Sequence, residues 1–272
     1  ALPSGGPMIL TPFQWISLIC ILAIAYTGGY YPLFRRERAQ QAHGFPLGQA
    51  FTAGVFLALS LTIMLPAGFS LFNKAFPDAI YPIASLIALV TFLSLLALEH
   101  MTTHMEESGQ VEPVTLSSPM IPIIMTLMIA LPSFFLGAAL GVSDTNAAIM
   151  IFIAIIVHKG SAGCALALKL VRSTLTRNQT YVIFSLFAFA TPLGIVVGED
   201  LHRYLAGHTL FVVKGTILSL ASGTFLYMGT THEMRHTPLI KDCGSKEGFV
   251  LLLAGFVLTA LVRLIIGEAH HL

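Results

Sequence analysis

Eight long apolar stretches dominate this chain and leave it little choice of solvent. They lie near residues 10–34, 48–72, 79–101, 119–142, 147–170, 181–201, 209–231 and 247–267. Crossing ~30 Å of hydrocarbon takes roughly 20 mostly apolar residues in helical form. A helix satisfies its own backbone donors and acceptors in lipid, whereas barrel strands are shorter and alternate in polarity. The pattern predicts an all-α integral membrane protein, a single domain over residues 1–272 with eight transmembrane helices. Only 10% of the residues are charged, against about a quarter in soluble domains. Such a chain cannot coat a water-facing surface, so its expected partner is the lipid bilayer. A net charge of +1 offers no field for a polyanion, which excludes nucleic acid as an expected partner.

The basic residues give the threading. With the N-terminus outside, the inner loops hold Arg35, Arg36, Arg38, Lys169, Arg172, Arg177, Arg235, Lys241 and Lys246. The outer side holds Lys74, Arg203 and Arg263. That asymmetry follows the positive-inside tendency and predicts both termini outside; the expected location is the plasma (inner) membrane. A missed or extra helix would scramble it. Cys20, Cys164 and Cys243 are far apart and form no CxxC pair, so neither a disulfide framework nor a zinc knuckle is expected.

His158 and Lys159 stand near the middle of the fifth stretch. An ionisable side chain at that depth costs ~2.5–3.5 kcal/mol or more, and such residues commonly line a substrate path. Neutral imidazole is also a common metal ligand. The structural alternative is a buried polar pair satisfied by backbone carbonyls. Gly160, Ser161, Ala162 and Gly163 keep the surface after the pair small, which is expected to leave room for a pathway. Gly137, Ala138, Ala139 and Gly141 in the fourth stretch suit close helix packing.

The run from His158 through Gly163 to Cys164 resembles the fifth helix of the ZIP family of zinc and iron transporters, which in many eukaryotic-type members opens with His-Lys. Ala190-Thr191-Pro192-Leu193-Gly194 is similar to the family's sixth helix, and Gly223-Thr224-Phe225-Leu226-Tyr227 to its seventh. Gly54-Val55-Phe56-Leu57-Ala58, followed by Leu65-Pro66, is similar to its second. Order and spacing agree over most of the chain. The resemblance implies a ZIP-like bundle and a slow, elevator-type carrier. A divalent cation would bind between helices four and five near mid-bilayer and leave toward the cytoplasm. Helices one, four, five and six would move against two, three, seven and eight. His158 falls on the first metal-ligand position of the fifth helix. Lys159 falls where some bacterial members place an acid for a second metal, so it would line the site and take that ion's place.

The fourth helix departs from the family. Where His-Asn/Ser-x-x-Glu-Gly is usual, this chain reads Pro132-Ser133-Phe134-Phe135-Leu136-Gly137, so Pro132 replaces the His and Leu136 the Glu. Ala162 stands where some members place a Glu on helix five. Ser133, Thr191 and carbonyls loosened around Pro132 remain as oxygen ligands.

Other clusters fit metal chemistry by spacing. His232-Glu233-Met234-Arg235-His236 matches HExxH, in which two His one helical turn apart share a metal and the Glu serves as base. It reads as a metal exit station, a plain polar helix end, or an intramembrane hydrolase site. Glu99, His100 and His104 stand at another inner helix end, with the two His one turn apart. A metal-release segment and a solvated boundary are the two readings. Asp144, Asn146, Glu199, Asp200, His202 and His208, with His270 and His271, lie on the expected outer side and would draw cations to the mouth. The expected function is transport of a divalent transition metal, zinc first, with iron, manganese and cadmium as alternatives. The competing readings are a non-transporting metal-binding or regulatory homologue and the hydrolase. A homodimer is left open.

Overall fold

The computed structural model describes residues 10–34, 46–107, 120–173, 175–232 and 246–268. Each of the eight apolar stretches corresponds to one helix among the described residues. These are α1 (Pro12–Phe34), α2 (46–75), α3 (Ile83–Glu107), α4 (Met120–Val142), α5 (Thr145–Arg172), α6 (Arg177–Tyr204), α7 (Gly207–Tyr227) and α8 (Lys246–Glu268). Helix α2 is two α-helical pieces, Pro46–Leu59 and Leu65–Ala75, joined by a π-helical turn at Ser60–Met64. A second π turn, Met228–His232, continues α7. No strand occurs among the described residues. Six of the helices carry an 18-residue window apolar enough to cross a membrane, and Ile129–Val142 of α4 is a shorter apolar run.

Helix ends follow local chemistry. Thr11 caps α1, its hydroxyl accepting from the Gln14 backbone at 3.3 Å while the Gln14 side chain accepts from the Thr11 backbone at 2.8 Å. Thr176 and Gln179 make the same reciprocal arrangement at the start of α6. Only Ser143 and Asp144 separate α4 from α5, and only Leu205 and Ala206 separate α6 from α7, so each pair must fold back as a hairpin.

The exterior is apolar and carries aromatic residues at both ends. Ile16 and Ile19 on α1, Leu86, Leu89 and Leu93 on α3, and Val257, Leu261 and Leu264 on α8 all face outward. Trp15, Tyr81 and Tyr204 are exposed at one end, and Tyr30, Tyr31 and Tyr181 at the other. At 1.5 Å per residue, Trp15 to Tyr30 spans about 22 Å and Tyr181 to Tyr204 about 35 Å. These separations bracket the ~30 Å hydrocarbon core, whose interfaces attract such rings. The protein is an integral membrane protein.

Contacts along the helices give their relative directions. Phe13 stacks edge-on against Phe152, and Gly163 meets Ala25, so α1 and α5 run the same way. Gly137 meets Thr191 and Gly141 meets Ile195, so α4 and α6 do too. Helix α1 runs against α6, pairing Gln14 with Glu199 and Tyr26 with Ser185. Helix α2 runs against α7, pairing Phe56 with Phe225 and Gly68 with Ser219.

The helices sort into two sets by how their backbones meet. Gly28 and Gly163 bring α1 onto α5, and Gly137, Gly141, Gly194 and Gly198 bring α4 onto α6. Gly54 and Gly255 bring α2 onto α8, and Gly223 brings α7 onto α3. A Cβ at any of these would fall under 3.0 Å from a backbone atom of the neighbour. Among the described residues, no glycine makes such an approach between the set α1, α4, α5, α6 and the set α2, α3, α7, α8. Between the sets, side chains meet instead: Leu136, Leu140 and Ile151 share one buried cluster with Phe56, Leu218 and Phe225.

Candidate metal site on the fifth helix

His158 and Lys159 sit about 20 Å from either end of the 28-residue α5. Both are buried, with 3% and 1% of their surfaces exposed. Successive residues on a helix point 100° apart, and here that rotation divides the pair. The His158 ring meets the Phe56 ring of α2, centroids 4.8 Å apart at 64°. Phe56 in turn packs on Phe225 of α7 at 4.7 Å. The imidazole therefore faces the seam between the two helix sets.

Each of those aromatic residues lies within one turn of a π segment, a feature common at functional sites. Ser60, which opens the π turn in α2, pairs with Ser222 of α7, hydroxyl to hydroxyl at 2.9 Å. That bond holds the two π-interrupted helices together beneath the aromatic contact.

Lys159 turns inward within its own set. Its Nζ donates to the Phe187 carbonyl at 3.1 Å and to the Thr191 hydroxyl at 3.0 Å. It also stands 3.8 Å above the Phe187 ring centroid. Pro192 has no backbone N–H, so α6 lacks the bond that would close onto the Ala188 carbonyl. A loosened turn beside an aromatic face makes α6 a natural receptor for a buried amine. Thr191, a sequence candidate for a metal oxygen, is engaged by this lysine.

Ser133 is buried on α4 immediately after the buried Pro132. The proline removes a helical N–H there as well. Leu136 lies in the apolar cluster that also contains Phe56. The small surface after Lys159 does not open a pathway as its residue types suggest. Gly160 faces the Ile24 side chain and Gly163 the Ala25 carbonyl, so α1 fills it. Among the described residues, no group of three or more His, Cys, Asp or Glu side chains is placed to hold a metal ion.

At the other candidate positions, Glu99 is half-buried and His100 exposed on α3, the helix that also carries His104. His232 ends the π turn after α7, while Glu233 and His236 lie outside the described residues. On the expected outer side, Gln14 Nε2 donates to Glu199 at 2.6 Å. Lys214 of α7 lies 3.9 Å from Asp144, whose side chain is 94% exposed. His208 stands edge-on to Phe76 at 5.0 Å. Two of the outer carboxylates are therefore already engaged by an amide and an amine.

Sequence reasoning missed Phe56, Phe187, Gln14 and Lys214 as partners. Phe56 lies inside the Gly54 to Ala58 motif, yet nothing local marks which residue of that run meets His158.

A family model described as "ZIP Zinc transporter" matches residues 103–263. "Zinc transporter ZIP1" of Homo sapiens is 27% identical over 255 residues, covering 81% of this chain and 78% of the relative. "Zinc transporter 11" of Arabidopsis thaliana is 25% identical over 275 residues, covering 91% and 83%. "Zinc transporter ZIP1" of Danio rerio is 33% identical over 147 residues, covering 50% and 45%.

Proposed function

Since the chain belongs to the ZIP zinc transporter family, we propose that it carries a divalent transition metal, zinc first, toward the cytoplasm along a path between α4 and α5. The observation that carries this reading is a buried imidazole at mid-helix depth on the seam between two helix sets. Iron, manganese and cadmium are the other candidate substrates.

The proposed motion is a slide of α1, α4, α5 and α6 against α2, α3, α7 and α8. Its support is that glycine-mediated backbone contacts stay within each set. Backbones in such close contact resist shear, whereas a seam of side chains has alternative packings. In the arrangement described, Phe56 covers His158, so an ion reaches the ring once the sets shift. Ser133 and the carbonyl loosened by Pro132 would add oxygens to the one imidazole. That donor set falls short of the three or four protein ligands usual for zinc, so the site is a weak one.

The alternating helix directions support eight crossings, and an even number puts both termini on one face. The proposed face is the outer one, as the excess of basic residues in the other loops favours, and the proposed membrane is the plasma membrane. Exposed apolar faces such as that of α8 are compatible with a homodimer. The chain is not an enzyme: its matched relatives are named as transporters, which leaves no support for the hydrolase reading of His232, Glu233 and His236.

A second reading has its own observation. Pro132 and Leu136 put apolar, buried groups where a cation needs ligands, and Lys159 is bound to α6. This suits a homologue that keeps the scaffold, binds metal elsewhere and does not move it. Uptake of Zn²⁺, Fe²⁺, Mn²⁺ and Cd²⁺ into vesicles containing the purified chain decides between the two. The carrier reading expects uptake of at least one ion, abolished by His158→Ala. No uptake of any of them, or uptake indifferent to that substitution, defeats it. Metal binding by the purified protein without uptake supports the second reading.

A further inference from the structure

A groove of about 310 Å³ opens between α4 and the beginning of α6, away from His158. Leu175, Val182, Ile183 and Ile123 form its apolar walls, and Asn178 and Gln179 its polar lining. Leu175 and Ile183 are buried and continuous with the Phe184 and Phe187 cluster, so the floor is firm. Val182 and Ile123 are both exposed on the apolar outer surface. The groove lies at the first turn of α6, beside Tyr181, one of the exposed aromatic residues at this end of the helices.

Charge on the two helices that meet beside the groove, α5 and α6, is one-sided. Arg177 is exposed beside Asn178, and Lys169 and Arg172 occupy the last turn of α5, shortly before Leu175 in the chain. No Asp or Glu occurs between Thr145 and Gly198 to offset them. The reciprocal cap uses the Gln179 side-chain oxygen, which accepts from the Thr176 backbone and hydroxyl at 3.0 Å each. Its NH₂ group therefore remains a donor at the rim.

We propose that this groove binds an anionic phospholipid, one acyl chain between Leu175, Val182, Ile183 and Ile123 and the phosphate headgroup against Arg177, Asn178 and Gln179. Basic pockets between membrane helices attract such headgroups, and the apolar walls select a chain over a soluble phosphate. The site is independent of the transport reading and depends only on membrane insertion.

The test uses the full chain, purified, exposed to equal mixtures of phosphatidylglycerol and phosphatidylcholine, then stripped in mild detergent and examined by native mass spectrometry. The expected result is one retained phosphatidylglycerol per chain, favoured over phosphatidylcholine. Arg177→Gln should cut that preference about fivefold, the effect of one basic residue near a charged headgroup. Val182→Trp, which fills the groove from its exposed side, should reduce retention of both lipids with little demand on folding. Inorganic phosphate at millimolar concentration should not displace the lipid. Equal retention of the two lipids by the unaltered chain overturns the proposal. So does retention unchanged by either folded variant, and displacement by phosphate shows a bare anion site instead.

Discussion

At the scale of single residues, Lys159 is the most constrained group in the molecule. A buried amine is costly unless bonded, and α6 supplies a carbonyl, a hydroxyl and a ring face. Removing one partner is worse than removing the amine. Thr191→Val should lower stability by about 1–3 kcal/mol, because a buried donor is left short of an acceptor. Lys159→Met should cost less, since the freed Thr191 hydroxyl can turn to its own helix and the methionine fills the volume. Thermal unfolding of both variants in detergent checks the order, and equal losses would contradict it. His158 lies differently: it packs on Phe56, so its substitution is felt first at the seam between the helix sets and, on the carrier reading, in uptake.

At the scale of elements, the helices are held by where a Cβ cannot go. Gly137→Ala would gain about 1 kcal/mol of helix propensity but drive a methyl into the Thr191 carbonyl of α6. Overpacking of that kind costs about 1–3 kcal/mol, so net destabilisation is expected, and Gly194→Ala should behave alike against Phe134. Gly207 is the contrast. Nothing lies within 4 Å of its would-be Cβ, but its φ of +57° is left-handed, so Gly207→Ala should cost about 1–2 kcal/mol through strain alone. Melting temperatures of the three variants in detergent check these losses. The helices themselves were legible in the sequence because length, apolarity and the Gly137 to Gly141 small-residue run are local signals. The π turns in α2 and after α7 were not, since neither Ser60–Met64 nor Met228–His232 carries a residue type that marks the extra residue.

At the scale of the whole molecule, the two helix sets make a prediction about motion. Asp144 and Lys214 face one another across the seam, whereas Tyr26 and Ser185 meet within one set at 2.9 Å. Cysteines at 144 and 214, joined by a short bifunctional reagent, should stop metal uptake into vesicles. Cysteines at 26 and 185 joined in the same way should leave it intact. Loss of uptake in both, or in neither, would argue against rigid sets sliding. The Asp144–Lys214 contact itself is worth little, about 0–1 kcal/mol for so exposed a carboxylate, so any effect of the cross-link reports restricted movement and not a lost ion pair.

The chain alone determined that it is helical, lives in lipid, and buries a histidine and a lysine at mid-depth, because hydrocarbon thickness and backbone self-satisfaction act on contiguous residues. It also carried the family's motifs, and with them the departures at Pro132 and Leu136. Only the packed structure decided that His158 and Lys159 part company, that Thr191 serves the lysine, and that Gly160 and Gly163 receive α1. It alone paired Gln14 with Glu199, 185 residues apart. Adjacent side chains on a helix diverge by 100°, and what each then meets is set by other helices whose approach no local stretch of sequence encodes.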